Sequence, residues 1–230
     1  MSRLVWLVPC LLVGPAARAQ GGCPSEMSLV GSSCVDRWEA TLVEVRKDGS
    51  EVSWSPYHSP FGHKVRAVSK PGVVPQAYVT FHEARRACEA AQKRLCRADE
   101  WKTACKGPAN KTWPYGAVHK PGTCVDSGRT SPLGVLYTGP DRFENKSMID
   151  PRLNQLPNTV GKTSEATGCT NATGTYDMVG NVHEWVEDGT MHGGFYLDTT
   201  SLKEGCDYTT KSHAPVYFDY STGFRCCKDL

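Results

Sequence analysis

Cysteine sets the tightest limit on what this chain can fold into. The sequence holds 11 cysteines in 230 residues, and Cys10 lies in an apolar leader. Arg3, the run from Leu4 to Gly14 and Ala17-Arg18-Ala19 form a basic start, an apolar stretch too short to span a bilayer and an Ala-x-Ala cleavage site. Those are the parts of a secretory signal over residues 1–19. Its removal leaves ten cysteines, an even number that in an exported chain reads as a disulfide framework. Gln20-Gly21-Gly22 lacks the branched apolar residue expected ahead of a lipid-anchored cysteine, so Cys23 is read as a half-cystine. Cys23 and Cys34 flank a short apolar segment, which suggests a local loop. Ten cysteines allow roughly 900 pairings, and the residues alone do not choose among them.

Residues 20–230 suffice for one domain with a sizeable core. Losing Arg3 and Arg18 with the leader reduces 26 basic residues to 24, against 24 acidic ones. A formally neutral surface has no basic stripe for nucleic acid. No later stretch approaches the roughly 18 apolar residues of a membrane span. The expectation is a secreted monomer, periplasmic or extracellular, with no nucleic-acid partner and no membrane span.

Local signals are mixed. Met27-Ser-Leu-Val30, a Gly-Ser turn and Cys34 onward read as an opening hairpin, with Asp36, Arg37 and Glu39 at solvated positions. Thr80 and Glu83 form a capping box that predicts a helix to about Lys93, its apolar stripe being Phe81, Ala84, Cys88 and Ala91. A second helix over Ala98–Cys105 turns Trp101, Ala104 and Cys105 inward. His58, His63 and His82 are irregularly spaced, with no cysteine or carboxylate at ligand spacing, and read as structural or surface residues. Turn chemistry dominates residues 106–170, a span expected only where a chain is functional or cross-linked. Asn110, Asn145 and Asn171 head N-glycosylation patterns, which imply exposure in a glycosylating host. Composition alone indicates a loop-rich, disulfide-stapled α+β domain.

One stretch carries more, Tyr176-Asp-Met-Val-Gly-Asn-Val-His-Glu-Trp185. Its alternation from Val179 and the Gly180-Asn181 pair, tolerant of positive φ, predict a strand entered through a tight turn. Asp177 and Glu184 offer carboxylates, and an irregular turn exposes carbonyls, a donor set suited to calcium. An ordinary half-buried strand reads the same way.

Followed by Gly193-Gly194 and by Gly223-Phe-Arg-Cys226, this stretch resembles the core signature of the formylglycine-generating (sulfatase-modifying factor) enzymes. The block from Cys88 to Cys105, with its Arg-Leu and Glu-Trp pairs, is similar to that family's helical block, and the resemblance runs from about Val30 to Cys227. It implies a compact, loop-rich α+β fold related to C-type lectins. It also implies disulfides Cys88–Cys226 and Cys105–Cys206, and a structural calcium held by Asp177, the carbonyls of Gly180 and Val182, and Glu184. The pairing of Cys96, Cys124, Cys169 and Cys227 stays open, with 96–227 and 124–169 as the expectation.

The family's activity is copper-dependent oxidation of a sulfatase cysteine, performed by two cysteines beyond the Gly-Gly pair. Here those positions are Asp198 and, in an ungapped count, Lys203. A carboxylate is a hard ligand with poor affinity for Cu(I), and a charged ammonium binds no cation. Cys206 is assigned to a structural disulfide, and Phe195 replaces the serine after Gly-Gly. Copper is therefore not expected. The reading is a pseudoenzyme, a secreted binding or recognition domain for a protein, peptide or glycan. The alternative is an active enzyme of the family, or a variant of altered metal chemistry built on a cleft of His192, Asp198 and Asp207. His183, where the family has tryptophan, reads as a polar residue on an exposed face.

Overall fold

The computed structural model describes residues 22–199 and 204–230; the leader with Cys10, and position 203, lie outside the described residues. The chain opens with the expected hairpin. Strands β1 (Met27–Val30) and β2 (Ser33–Asp36) pair antiparallel, with Val30 opposite Ser33. Strands β3 (Ala40–Val45), β4 (Glu51–Ser53) and β5 (Val65–Ser69) form a separate antiparallel sheet in the order β4-β3-β5.

Helix α1 (Phe81–Ala90) starts at the capping box. The Glu83 amide donates to Thr80 Oγ1 at 3.2 Å, and the Thr80 amide donates to Glu83 Oε2 at 2.9 Å. It ends short of Lys93 because Gln92 takes a positive φ of 58°. Strand β6 (Arg94–Leu95) and helix α2 (Ala98–Lys106) follow, and α2 buries Trp101, Ala104 and Cys105 as its spacing predicts.

Between α2 and the signature the chain makes only brief helical turns, at Pro132–Leu136, Pro140–Phe143, Asn145–Met148 and Leu153–Gln155, among the described residues. The C-terminal part adds β7 (His183–Trp185), β8 (Met191–His192), β9 (Thr209–Thr210), β10 (Thr222–Phe224) and β11 (Cys226–Asp229). Past β8 the chain leaves the extended region at Gly193 and Gly194, which take φ of 83° and 68°.

One sheet runs β10-β7-β8-β9 and another β1-β2-β11-β6. In the first, β10 lies parallel to β7 and sets Phe224 beside Trp185. In the second, β11 lies between β2 and β6. Neighbouring residues of a strand face opposite ways, so the adjacent cysteines of β11 reach different partners: Cys226 joins Cys88 of α1, and Cys227 joins Cys96 just past β6. The other disulfides are Cys23–Cys34, Cys105–Cys206 and Cys124–Cys169. Cys124–Cys169 ties off the long irregular span. Around these links lie Trp101, Trp113, Met178 and Val186, then a layer of Leu42, Phe81, Trp185 and Phe224. Tyr78, Tyr196 and Tyr220 cluster on Val182. Among the described residues, no helix is long and apolar enough to cross a membrane.

Candidate functional site

The signature begins as a strained turn. Asp177, Gly180 and Asn181 all take positive φ, and a Cβ at Gly180 would run into the carbonyl of Val125. Asn181 holds the turn in place: its Oδ1 accepts from the Gly161 amide at 2.8 Å, and its Nδ2 donates to Glu39 Oε2 at 2.7 Å. Asp177 Oδ2 accepts from the Ser164 amide at 2.6 Å, while Asp177 Oδ1 is buried with no hydrogen-bond partner.

The parallel register of β7 and β10 brings the signature to the Gly-Phe-Arg block. Arg225, fully buried, grips Glu184 with Nε and Nη2, both at 2.6 Å. Its Nη groups also donate to the carbonyls of Asp36 and Tyr176, at 3.1 and 2.9 Å. Trp101 Nε1 donates to Glu184 Oε2 at 2.7 Å.

Two of the three charged residues expected at solvated strand positions belong to this interior instead. Glu39 is buried and, besides holding Asn181, faces the amide of Val182 at 3.4 Å. Asp36 is buried against Lys93 Nζ at 2.6 Å and accepts from the Cys226 amide. The outward reading fails because β2, β7 and the first half of β3 are buried on both faces, so alternation does not separate core from solvent. Burial pushes Asp36 up to about 6 despite the lysine. Burial also lifts Asp177 to about 7 and, with Asp177 and Glu184 nearby, lifts Glu39 well above the usual carboxylate range.

Calcium fits this arrangement badly as a four-ligand set. Both oxygens of Glu184 are occupied by a guanidinium and an indole N–H, so a divalent ion bound there would sit against a fixed cation. Among the described residues, no group of three His, Cys, Asp or Glu side chains is arranged to hold a metal.

The position of the family's first catalytic cysteine is equally committed. Asp198 Oδ1 accepts from the Phe195 amide at 2.7 Å, and Oδ2 accepts from the Tyr208 hydroxyl at 3.0 Å. Oδ2 also lies 3.3 Å from Nε2 of His183. His183 is 6% exposed, not on an open face. Its ring stacks on Tyr208 at 5.5 Å and packs by Phe195 at 5.2 Å, and its Nδ1 is buried without a partner. His192 and Asp207 do not join Asp198. The His192 nitrogens each lie 3.2 Å from a threonine hydroxyl, of Thr190 and Thr209, and its ring packs on Trp101. Burial lowers His192 to about 4, so it is neutral near pH 7. Asp207 pairs with Lys106 at 2.8 Å at the surface. The expected cleft is thus replaced by a His183-Asp198-Tyr208 group, whose one sequence signal was the histidine standing for tryptophan inside the signature.

A pH effect follows from Asp177. Its pKa is raised on folding, so its stabilising contribution is full below about pH 4 and is lost as pH rises through about 7. His192 acts oppositely, its contribution being lost as pH falls from about 6.5 toward 4. Asp177→Asn keeps the shape and suits the positive φ, and subtracting its stability curve from that of the parent gives the Asp177 contribution together with the relief of Glu39, which Asp177 pushes up and which acts in the same direction. The difference is expected to be near zero at pH 4 and to grow to roughly 2–4 kcal/mol in favour of the variant by pH 8, as urea unfolding would measure. A flat difference would contradict the assignment.

Comparison with known proteins bears on the family and the fold. The family description "Sulfatase-modifying factor enzyme 1-like domain" matches residues 34–230. Among solved structures, PvdO from Pseudomonas aeruginosa is similar, at 14% identity over 86% of this chain and 80% of that one, with a TM-score of 0.51. CarF is similar at 16% identity over 86% of each chain, with a TM-score of 0.50. The U1 variant of the major tropism determinant shares 14% identity over 90% of this chain and 53% of its own, with a TM-score of 0.50. These likenesses show a common fold, α+β and C-type-lectin-related. No curated protein matches the sequence.

Proposed function

The chain belongs to the sulfatase-modifying factor family, and from that premise we propose that it is a secreted, non-catalytic member whose stapled fold serves recognition of a protein, peptide or glycan. The observation that carries this reading is the state of Asp198. A hard carboxylate stands where the copper-binding thiolate is expected, bonded by the Phe195 amide and the Tyr208 hydroxyl. The ten cysteines of the described residues are all in disulfides, which suits an oxidising compartment. Such a fold presents variable loops on a fixed core, an arrangement that suits binding. In this reading the positive charge that settles the signature turn is the guanidinium of Arg225 rather than a calcium ion. The unpartnered Nδ1 of His183 favours the alternative, an enzyme of altered chemistry working through the His183–Asp198 pair.

One set of assays on the mature protein separates the recognition reading from an active enzyme of the family's own copper chemistry. Thiol titration after unfolding without reductant is expected to find no free cysteine, and Cu(I) titration no stoichiometric site. A peptide containing Cys-x-Pro-x-Arg, incubated with copper, oxygen and a thiol reductant, is expected to yield no aldehyde. Formation of a hydrazide-reactive product would remove the recognition reading.

A further inference from the structure

A groove of about 540 Å³ lies between the 59–61 loop, the first turns of α1 and the 216–218 segment. Its walls are unusually apolar for open surface: Phe61 is 82% exposed and Val216 68% exposed, and the half-buried Phe218 lies between them and the aromatic core. Exposed side chains of this size, gathered around one hollow, mark an interaction site more often than chance scatter does.

The charge that the groove turns to solvent is that of Arg86. His82 and Arg86, four residues apart on α1, share one helix face and both line the hollow. Arg85 pairs with Glu89, whereas Arg86 forms no ion pair among the described residues. Arg86 also borders a neighbouring hollow of about 390 Å³ that carries Lys64. Glu83 lines the groove too and keeps its negative charge, but it is 4% exposed and its carboxylate accepts from the amide and hydroxyl of Thr80 in the helix cap. An exposed, uncommitted guanidinium beside an apolar wall complements a carboxylate next to an apolar side chain.

We infer that this groove binds an acidic peptide segment, seating an aromatic or large aliphatic anchor on Phe61, Val216 and Phe218 and an Asp or Glu carboxylate on Arg86. The inference rests on the recognition reading and supplies its partner class. An anionic membrane suits the groove less well: polybasic attraction takes clusters of about 4–8 Lys or Arg, and here the charge is two such side chains around a concave surface.

The test uses the mature protein and a random peptide display, with the parent and the exposed-site variants Phe61→Ser and Arg86→Glu, each checked for an unchanged circular dichroism spectrum. Selected peptides are expected to combine an aromatic or aliphatic residue with neighbouring acids. A synthetic representative should lose about tenfold or more in affinity to each variant, as loss of a binding anchor commonly causes. No enrichment, a basic or purely polar consensus, or binding indifferent to both substitutions overturns the site. Phosphatidylglycerol vesicles and sedimentation velocity run alongside, and vesicle binding or self-association through Phe61 would assign the surface to a lipid or a second copy instead. None of these outcomes bears on aldehyde formation, so failure of the groove and failure of the recognition reading are distinguishable.

Discussion

Replacing Arg225 with methionine is expected to destabilise the fold by about 3–5 kcal/mol, the range found when one partner of a buried ion pair is removed. The side chain has no solvent exposure, and its two short bonds to Glu184 are accompanied by donations to the carbonyls of Asp36 and Tyr176. Without it, Glu184 keeps the Trp101 N–H but loses its countercharge, and Glu39 and Asp177 lose the cation that offsets their burial. A substitution of this size can consume much of a domain's net stability, so the companion variant matters. Glu184→Gln keeps an acceptor for Trp101 and removes the orphaned charge, and the Arg225→Met/Glu184→Gln double variant is expected to be more stable than Arg225→Met alone. Urea unfolding of the four proteins gives the coupling, expected to be 2 kcal/mol or more. A double variant no better than Arg225→Met would mean that the guanidinium acts through packing and not through charge. Arg225→Lys should also fail to restore the parent, since an ammonium cannot reproduce the two-pronged bond together with the carbonyl contacts.

What the sequence made legible was local or copied from a family pattern. The capping box at Thr80 and Glu83 involves residues three apart and formed as read. The stripe on α2 follows from helical geometry and needed no partner. Glu39 is illegible for the opposite reason: its partner Asn181 is 142 residues away, and nothing in the residues leading into β3 announces that they are covered. The same holds for His183, because β7 lies between β8 and β10 and its side chains are enclosed on both faces. The cleft built from His192, Asp198 and Asp207 rested on closeness along the chain. The positive φ at Gly193 and Gly194 breaks that closeness, leaving His192 against Trp101 and carrying Asp198 around to His183. Register and turn handedness decide such groupings, and neither is visible from residue spacing.

The disulfides give the second large effect, and its size depends on how they are nested. Cys88–Cys226 on its own would close a loop of 138 residues, for which the chain-entropy relation gives about 5 kcal/mol. With Cys96–Cys227 intact, however, the path it closes is only 88–96 joined to 226–227, and the same relation gives roughly 2–3 kcal/mol. The converse holds for Cys96–Cys227. Removing both leaves Cys105–Cys206 as the nearest tie, and the released path then runs through 96–105 and 206–227. The joint loss is expected to be on the order of 6 kcal/mol, about 1 kcal/mol more than the sum of the two single losses. Cys88→Ala/Cys226→Ala and Cys96→Ala/Cys227→Ala should therefore each fold with a lowered urea midpoint, while the quadruple variant should be at or past the edge of stability. The cavities left by the alanines enter both sides of the comparison and largely cancel, so the excess reports the nesting. Strict additivity, or a quadruple variant nearly as stable as either pair, would show that the two links do not share a loop and would place the stabilisation in native packing around the sulfurs instead.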